Sequence, residues 1–210
     1  MSAPESAMSQ PKTAMSGPRL DLSFAHAWQA EILPVRPMIL PPRHFVYPHE
    51  VEEVERGALE VMVRPACAEA FLATCAVGFR DPVAPTGVWA APNPAELCAV
   101  SGGYAYVIDT GAPERFTFVS LRPVLLAWPA VDAGLLLLVG HRTIVAWGAA
   151  GEAWQSEKLS DEGITVTGIE GELLHGRGWN MMTDRETPFT LDLKTGRKLE
   201  DNESDRMPGE

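Results

Sequence analysis

The sequence predicts an all-β protein, built of antiparallel hairpins in a small or incomplete β-propeller-like arrangement, with a two-sheet β-sandwich as the alternative. Three observations predict it. From about residue 59 onward, short apolar runs recur at spacings near ten residues, punctuated by Gly, Pro, Asp and Ser. Some of these runs alternate with period 2, as in LEVMV, where Leu59, Val61 and Val63 share one face and Glu60, Met62 and Arg64 the other. No stretch after Gly57 carries a convincing apolar period of 3.6 residues, although residues 50–56 could close one helical turn on Val51 and Val54.

The elements follow in order. Residues 1–19 are rich in Ser, Ala, Pro and Met without a period and read as a disordered leader, lacking the basic and apolar regions of a secretory signal. Residues 20–49 read as a proline-rich extended arm. Its first third allows a short amphipathic helix through Leu22, Ala25 and Trp28. Pro34, Pro37, Pro41, Pro42 and Pro48 then exclude helix and central strand alike. Residues 50–200 form the all-β domain, with strands expected in FLATCAVGF, LCAV, YAYVID, FTFVSL, PVLLAW, LLLLV, TIVAW, AWQS, ITVTGI, ELLHGRGW and PFTLDL. DPVAPTG and APNP read as connectors. Residues 201–210 are a polar tail.

The apolar run at residues 124–140 is not a membrane span, because Pro129, Asp132 and Gly134 interrupt it and a spanning helix needs about 20 apolar residues. It reads as two strands joined by a turn over residues 129–134. LLLLV, residues 135–139, then reads as a strand buried on both faces.

Charge narrows the partners. With 17 basic and 28 acidic side chains the net charge is -11, which argues against a nucleic-acid partner, since neutralising phosphates requires a Lys/Arg footprint. Residues 50–60 (net -4) and 152–172 (net -5) hold most of the excess. Both read as solvated faces, with docking of a basic partner as the sharper alternative. Cys67, Cys75 and Cys98 lack CxxC spacing and read as buried reduced thiols, so neither a zinc site nor a disulfide framework is expected and a cytoplasmic location is.

Chemistry is sparse. No metal and no cofactor is expected: His44 and His49 are close only within the proline-rich arm, which fixes no ligand geometry. His141, in the turn GHRT, reads as a turn histidine bonded to backbone in preference to a general base. Ser101 in VSGGY lacks the GxSxG elbow, and Gly102 and Gly103 suit a tight hairpin turn. Gly176 and Gly178 lie between strand-like segments, so they make no dinucleotide fingerprint. Residues 176–189, GRGWNMMTDRETPF, read as a long loop joining an aromatic anchor to adaptable thioethers and charge. That mixture suits protein recognition through Trp179, Met181, Met182, Asp184 and Arg185. The blander reading has Trp179 and the methionines cap the core. As an alternative, Asp184, Glu186 and His175 (or His141) would converge as a hydrolytic site on a small polar or sugar substrate. Exposed Trp89 or Trp179 would instead suggest carbohydrate binding. Trp89, Trp128, Trp147 and Trp154 read first as core, the last two in contact across adjacent strands.

Three segments share a pattern of apolar strand end, glycine turn and apolar or aromatic strand start: VIDTGAPERF, AWGAAGEAW and LDLKTGRKL. Asp109, Gly148 and Asp192 are then about 39 and 44 residues apart, a propeller-blade interval. On LDLKTG and AWGAAGEAW the chain resembles β-propeller proteins of the quinoprotein-like class, over about residues 58–200. The same stretches, with GGYAYVIDT, GRGWNMMTDRE and PFTLDLKTG, resemble a group of uncharacterised bacterial proteins. The resemblance implies a repeated β scaffold and fixes no chemistry. Roughly 140 residues is barely four compact blades. The expected function is therefore a non-catalytic interaction module for a protein partner, of accessory or immunity-like kind by analogy, with neither nucleic acid nor membrane as ligand.

Overall fold

The computed structural model describes residues 17–49, 55–78 and 84–200. Among these described residues sixteen strands form four sheets, none of them closed on itself. The first sheet has the order β2 (Trp28–Leu33), β4 (Ala58–Pro65), β5 (Phe71–Ala76), β3 (His44–Tyr47). The second has β1 (Arg19–Asp21), β6 (Gly87–Ala90), β7 (Glu96–Ser101), β8 (Tyr104–Asp109), β9 (Phe116–Phe118). The third is a meander of β10 (Leu126–Ala130), β11 (Leu135–Val139), β12 (Ile144–Gly148) and β13 (Gly151–Gln155). The fourth consists of β14 (Ile164–Glu170), β15 (Leu173–Asn180) and β16 (Arg185–Asp192). Four sheets replace the two-sheet sandwich.

The three glycine-turn segments occupy matching places. VIDTGAPERF joins β8 to β9, AWGAAGEAW joins β12 to β13, and LDLKTGRKL runs from β16 to Lys198, which bridges back to Leu191. In the first and third the aspartate builds the same turn. Asp109 Oδ1 accepts from the N–H groups of Gly111 and Ala112, and Asp192 Oδ1 from those of Lys194 and Thr195.

Two apolar clusters hold the sheets together. One joins the first and second sheets and one face of the third; the other joins the opposite face of the third to the fourth. LLLLV shows how: Leu136 and Leu138 enter the first cluster, Leu135, Leu137 and Val139 the second. In the first cluster the Tyr106 hydroxyl on β8 donates to the Ala76 carbonyl on β5 at 3.0 Å, tying the first two sheets together. Tyr47 is also fully buried, and its hydroxyl donates to the Pro113 carbonyl.

Several expectations change. The arm at residues 20–49 supplies β2 and β3, both edge strands of the first sheet, while β1 pairs in parallel with β6. No amphipathic helix forms there: Trp28 anchors β2 inside the core. The five prolines all fall between or after these strands, where their missing N–H breaks no ladder. GVWA, between two expected connectors, is β6, and Pro129 lies inside edge strand β10, so the turn narrows to residues 131–134 with Gly134 left-handed. Gly102 and Gly103, both at positive φ, make the expected two-residue hairpin turn. Trp147 and Trp154 are core residues on adjacent strands, but a bulge after Ala146 sets them on opposite faces, one in each cluster. Cys67 is exposed, whereas Cys75 and Cys98 are buried, and burial raises both of their thiol pKa values, that of Cys98 to about 12. No helix among the described residues is long and apolar enough to cross a membrane.

Candidate functional site

The long loop expected over residues 176–189 is mostly ladder. β15 and β16 pair from Leu173 opposite Asp192 to Asn180 opposite Arg185, leaving a four-residue turn at 181–184. Gly176 and Gly178 permit close approach of neighbouring chain. A Cβ at Gly176 would meet the Phe189 ring at 2.4 Å, and one at Gly178 would meet the Leu159 carbonyl oxygen at 2.2 Å.

The turn has a fixed backbone. Asn180 Oδ1 accepts from the N–H groups of Met182 and Thr183, and Asp184 takes a left-handed conformation at φ 50°. From the preceding connection, Asp161 Oδ2 accepts from the Met181 N–H at 2.8 Å, and the Asp161 N–H donates to the Trp179 carbonyl. Lys158 Nζ donates to Asp161 Oδ1, and this bond, seconded by the Met181 N–H, holds the Asp161 carboxyl below its ordinary pKa. On this framework Met181 is 63% and Met182 88% exposed. Asp184 and Arg185 are exposed beside them, and Trp179 is half-buried at the base. Trp179 lines a cavity of about 210 Å³ with Lys158, Ser160, Asp161 and Asn180. The methionines thus face solvent instead of capping the core.

The groups of the hydrolytic alternative are dispersed. On β15 and β16, Glu186 lies opposite Trp179 and His175 opposite Thr190. Four rungs separate them, roughly 13 Å at 3.3 Å per residue. Asp184 lies beyond Glu186 in the turn. His175 Nδ1 is 3.0 Å from Thr190 Oγ1, its nearest carboxylate is Glu170 at 3.9 Å, and Glu186 faces Arg177 at 3.8 Å. His141 is at the tip's end of the molecule, since Arg142 Nε donates to the Asp161 carbonyl. Its Nδ1 is buried without a hydrogen-bond partner, in place of the expected backbone bond. General acid–base work needs these groups within about 3 Å of one another or of a shared substrate atom, and no such approach occurs. Ser101 is fully buried and donates to the Cys75 carbonyl. Trp89, the other proposed sugar platform, is 1% exposed. Among the described residues no group of three or more His, Cys, Asp or Glu is placed to hold a metal.

A second polar constellation escaped the sequence. Glu60, counted there in a solvated acidic face, is 4% exposed. Its Oε1 accepts from Arg36 Nε at 2.7 Å and its Oε2 from the Thr74 hydroxyl at 2.5 Å. That commits the only Thr74 proton, so His44 Nε2, 2.9 Å from Thr74 Oγ1, must be the donor of the next bond. His44 is thereby fixed with hydrogen on Nε2. Burial first, and the Arg36 charge second, lower its pKa, against an opposing pull from Glu60. Of the other acidic residues of the first stretch, Glu55 is exposed and those at 50–54 lie outside the described residues. In the second stretch Glu152, Glu157, Glu162, Glu170 and Glu172 are exposed as expected, while Asp161 is half-buried in the tip's support.

No protein-family model matches this chain, and no curated protein matches it. The reading of function accordingly rests on the geometry above.

Proposed function

We propose that the protein is a non-catalytic interaction module of the cytoplasm that engages a protein partner through the β15–β16 tip. The observation that carries this reading is the exposure of Met181 and Met182 on a backbone held by Asn180 and Asp161. Thioether side chains adapt to a partner's surface, while a turn already ordered loses little entropy on binding. Asp184 and Arg185 supply charges of both signs at the rim, and Trp179 a half-buried base. The exposed thiol of Cys67 and the reduced, buried Cys75 and Cys98 support a reducing compartment.

The test is quantitative affinity capture from the native host with the wild-type chain and the Met181→Ser/Met182→Ser variant as baits. One protein recovered with the wild type and reduced at least tenfold with the variant is the expected result. Equal recovery of every protein by both baits refutes the tip as the docking surface.

A further inference from the structure

We propose that the segment between β2 and β3 is a self-association surface through which two copies of this chain pair symmetrically. This surface is separate from the β15–β16 tip and does not depend on what binds there. Residues 34–43 cross from one edge strand of the first sheet to the other as an irregular strap. Its polarity is inverted. Arg36 reaches inward to the buried Glu60, whereas Val35, Met38, Ile39 and Leu40 face solvent at 72, 103, 89 and 45% exposure. Four large apolar side chains within six residues form a dense exposed patch, of the kind that marks an interface.

Two properties favour a second copy as the occupant. The strap carries Pro34, Pro37, Pro41 and Pro42, which restrict its backbone before any partner arrives, so pairing immobilises little that is free. The patch also holds no carboxylate, the charge that keeps the rest of this acidic chain apart, and its one cation, Arg36, is 40% exposed and already paired with Glu60. Among the described residues the carboxylates on the outward face of the first sheet are Glu31 and Glu60, and each is paired with an arginine, Arg64 and Arg36 respectively. An isologous contact puts the same patch on both sides, and here that places apolar surface against apolar surface with no unpaired carboxylate of that face between them. Size sets the strength. At roughly 100 Å² for each of the four side chains, a symmetric pair removes about 800 Å² from water. The adjoining prolines extend this toward the lower limit of specific interfaces, about 1,200 Å², which corresponds to a weak, concentration-dependent dimer.

Sedimentation velocity on the full chain from about 1 to about 300 µM tests the proposal, a range that brackets micromolar association. The weight-average mass should rise from one chain toward two for the wild type and for Met181→Ser/Met182→Ser. For Met38→Ser/Ile39→Ser, association should weaken at least tenfold. Because Met38 and Ile39 are solvent-facing, that variant should keep the wild-type circular dichroism spectrum and melting temperature. A wild-type chain that stays at the mass of one copy throughout overturns the proposal, whether another protein or another stretch of this chain covers the strap. A dimer that Met38→Ser/Ile39→Ser leaves intact also overturns it.

Discussion

The strap at residues 34–43 and the β15–β16 tip both hold apolar side chains in water, but they are secured by different forces. At the tip the turn closes an eight-rung antiparallel ladder, and the Asn180 and Asp161 side chains only complete it. The strap belongs to no ladder and meets one only at its last residue, where the Arg43 carbonyl accepts from the Leu72 N–H. Its inward anchor is the Arg36 guanidinium on Glu60, extended through Thr74 to His44. A ladder distributes its hold over many backbone bonds, whereas an ionic anchor concentrates it in a few titratable groups. The tip should therefore resist single side-chain losses that release the strap.

The largest expected effect comes from Glu60→Ala. It strands the fully buried Thr74 hydroxyl and deprives Arg36 of its counter-ion. Removing one partner of a buried pair costs about 3–5 kcal/mol, and since the Arg36 side chain is 40% exposed and can rehydrate, the expected loss is about 3 kcal/mol. Chemical denaturation should show it, and amide exchange should accelerate around β3 and β4 while β15 and β16 keep their relative protection. Loss of protection in the fourth sheet instead would merge the two regions into one energetic unit.

Gly178→Ala attacks the ladder side of the comparison. The added methyl would sit 2.2 Å from the Leu159 carbonyl oxygen, a backbone atom that moves only if the connection carrying Asp161 moves with it. Overpacking of this kind costs about 1–3 kcal/mol. The expectation is about 2 kcal/mol, with changed NMR shifts at Met181 and Met182 and unchanged ones at Met38. Shifts at Met38 of equal size would show that strap and tip are coupled.

Acid separates the regions by the pH at which each begins to weaken. The His44 pKa is lowered from 6.5 in the folded chain, so the unfolded chain binds the proton more readily. Its stabilising effect is complete above pH 6.5 and declines as the pH falls from there toward the lowered folded value. Asp161 is lowered from 3.8, so its contribution persists above that pH and is lost only as the pH falls through its folded value. Thermal melting followed from pH 7.5 to 3 should show a first decline below about pH 6.5 that His44→Gln flattens. A profile flat down to pH 4 in the wild type would remove His44 from the strap's support.

Much of this was legible in the sequence where the signal is local. The period-2 alternation of LEVMV, the double glycine after Ser101 and the unbroken LLLLV each encode a strand or turn within a few residues. What was hidden depends on distant partners. β1 and β3 are short and lie in parallel against β6 and β5, so nothing near them announces a strand. Glu60 looks like one more surface acid because Arg36 is 24 residues away. The composition of residues 176–189 reads as one long loop, whereas only 181–184 are turn, because the polar run at 185–188 is exposed on both faces of a strand and so lacks alternation. The opposite placement of Trp147 and Trp154 turns on a bulge that leaves no compositional trace.

The division of LLLLV between two clusters also has a thermodynamic meaning. The third sheet is a party wall: the same five backbone units carry Leu136 and Leu138 for one core and Leu135, Leu137 and Val139 for the other. Either core can open locally while that wall stands, but neither can keep its order once the wall goes. Four sheets stacked in chain order could melt piecemeal from their ends, as repeat arrays do when neighbour coupling is weak. Here the coupling is carried by a shared strand, so local opening of either core stops at the wall, and only global melting takes both together.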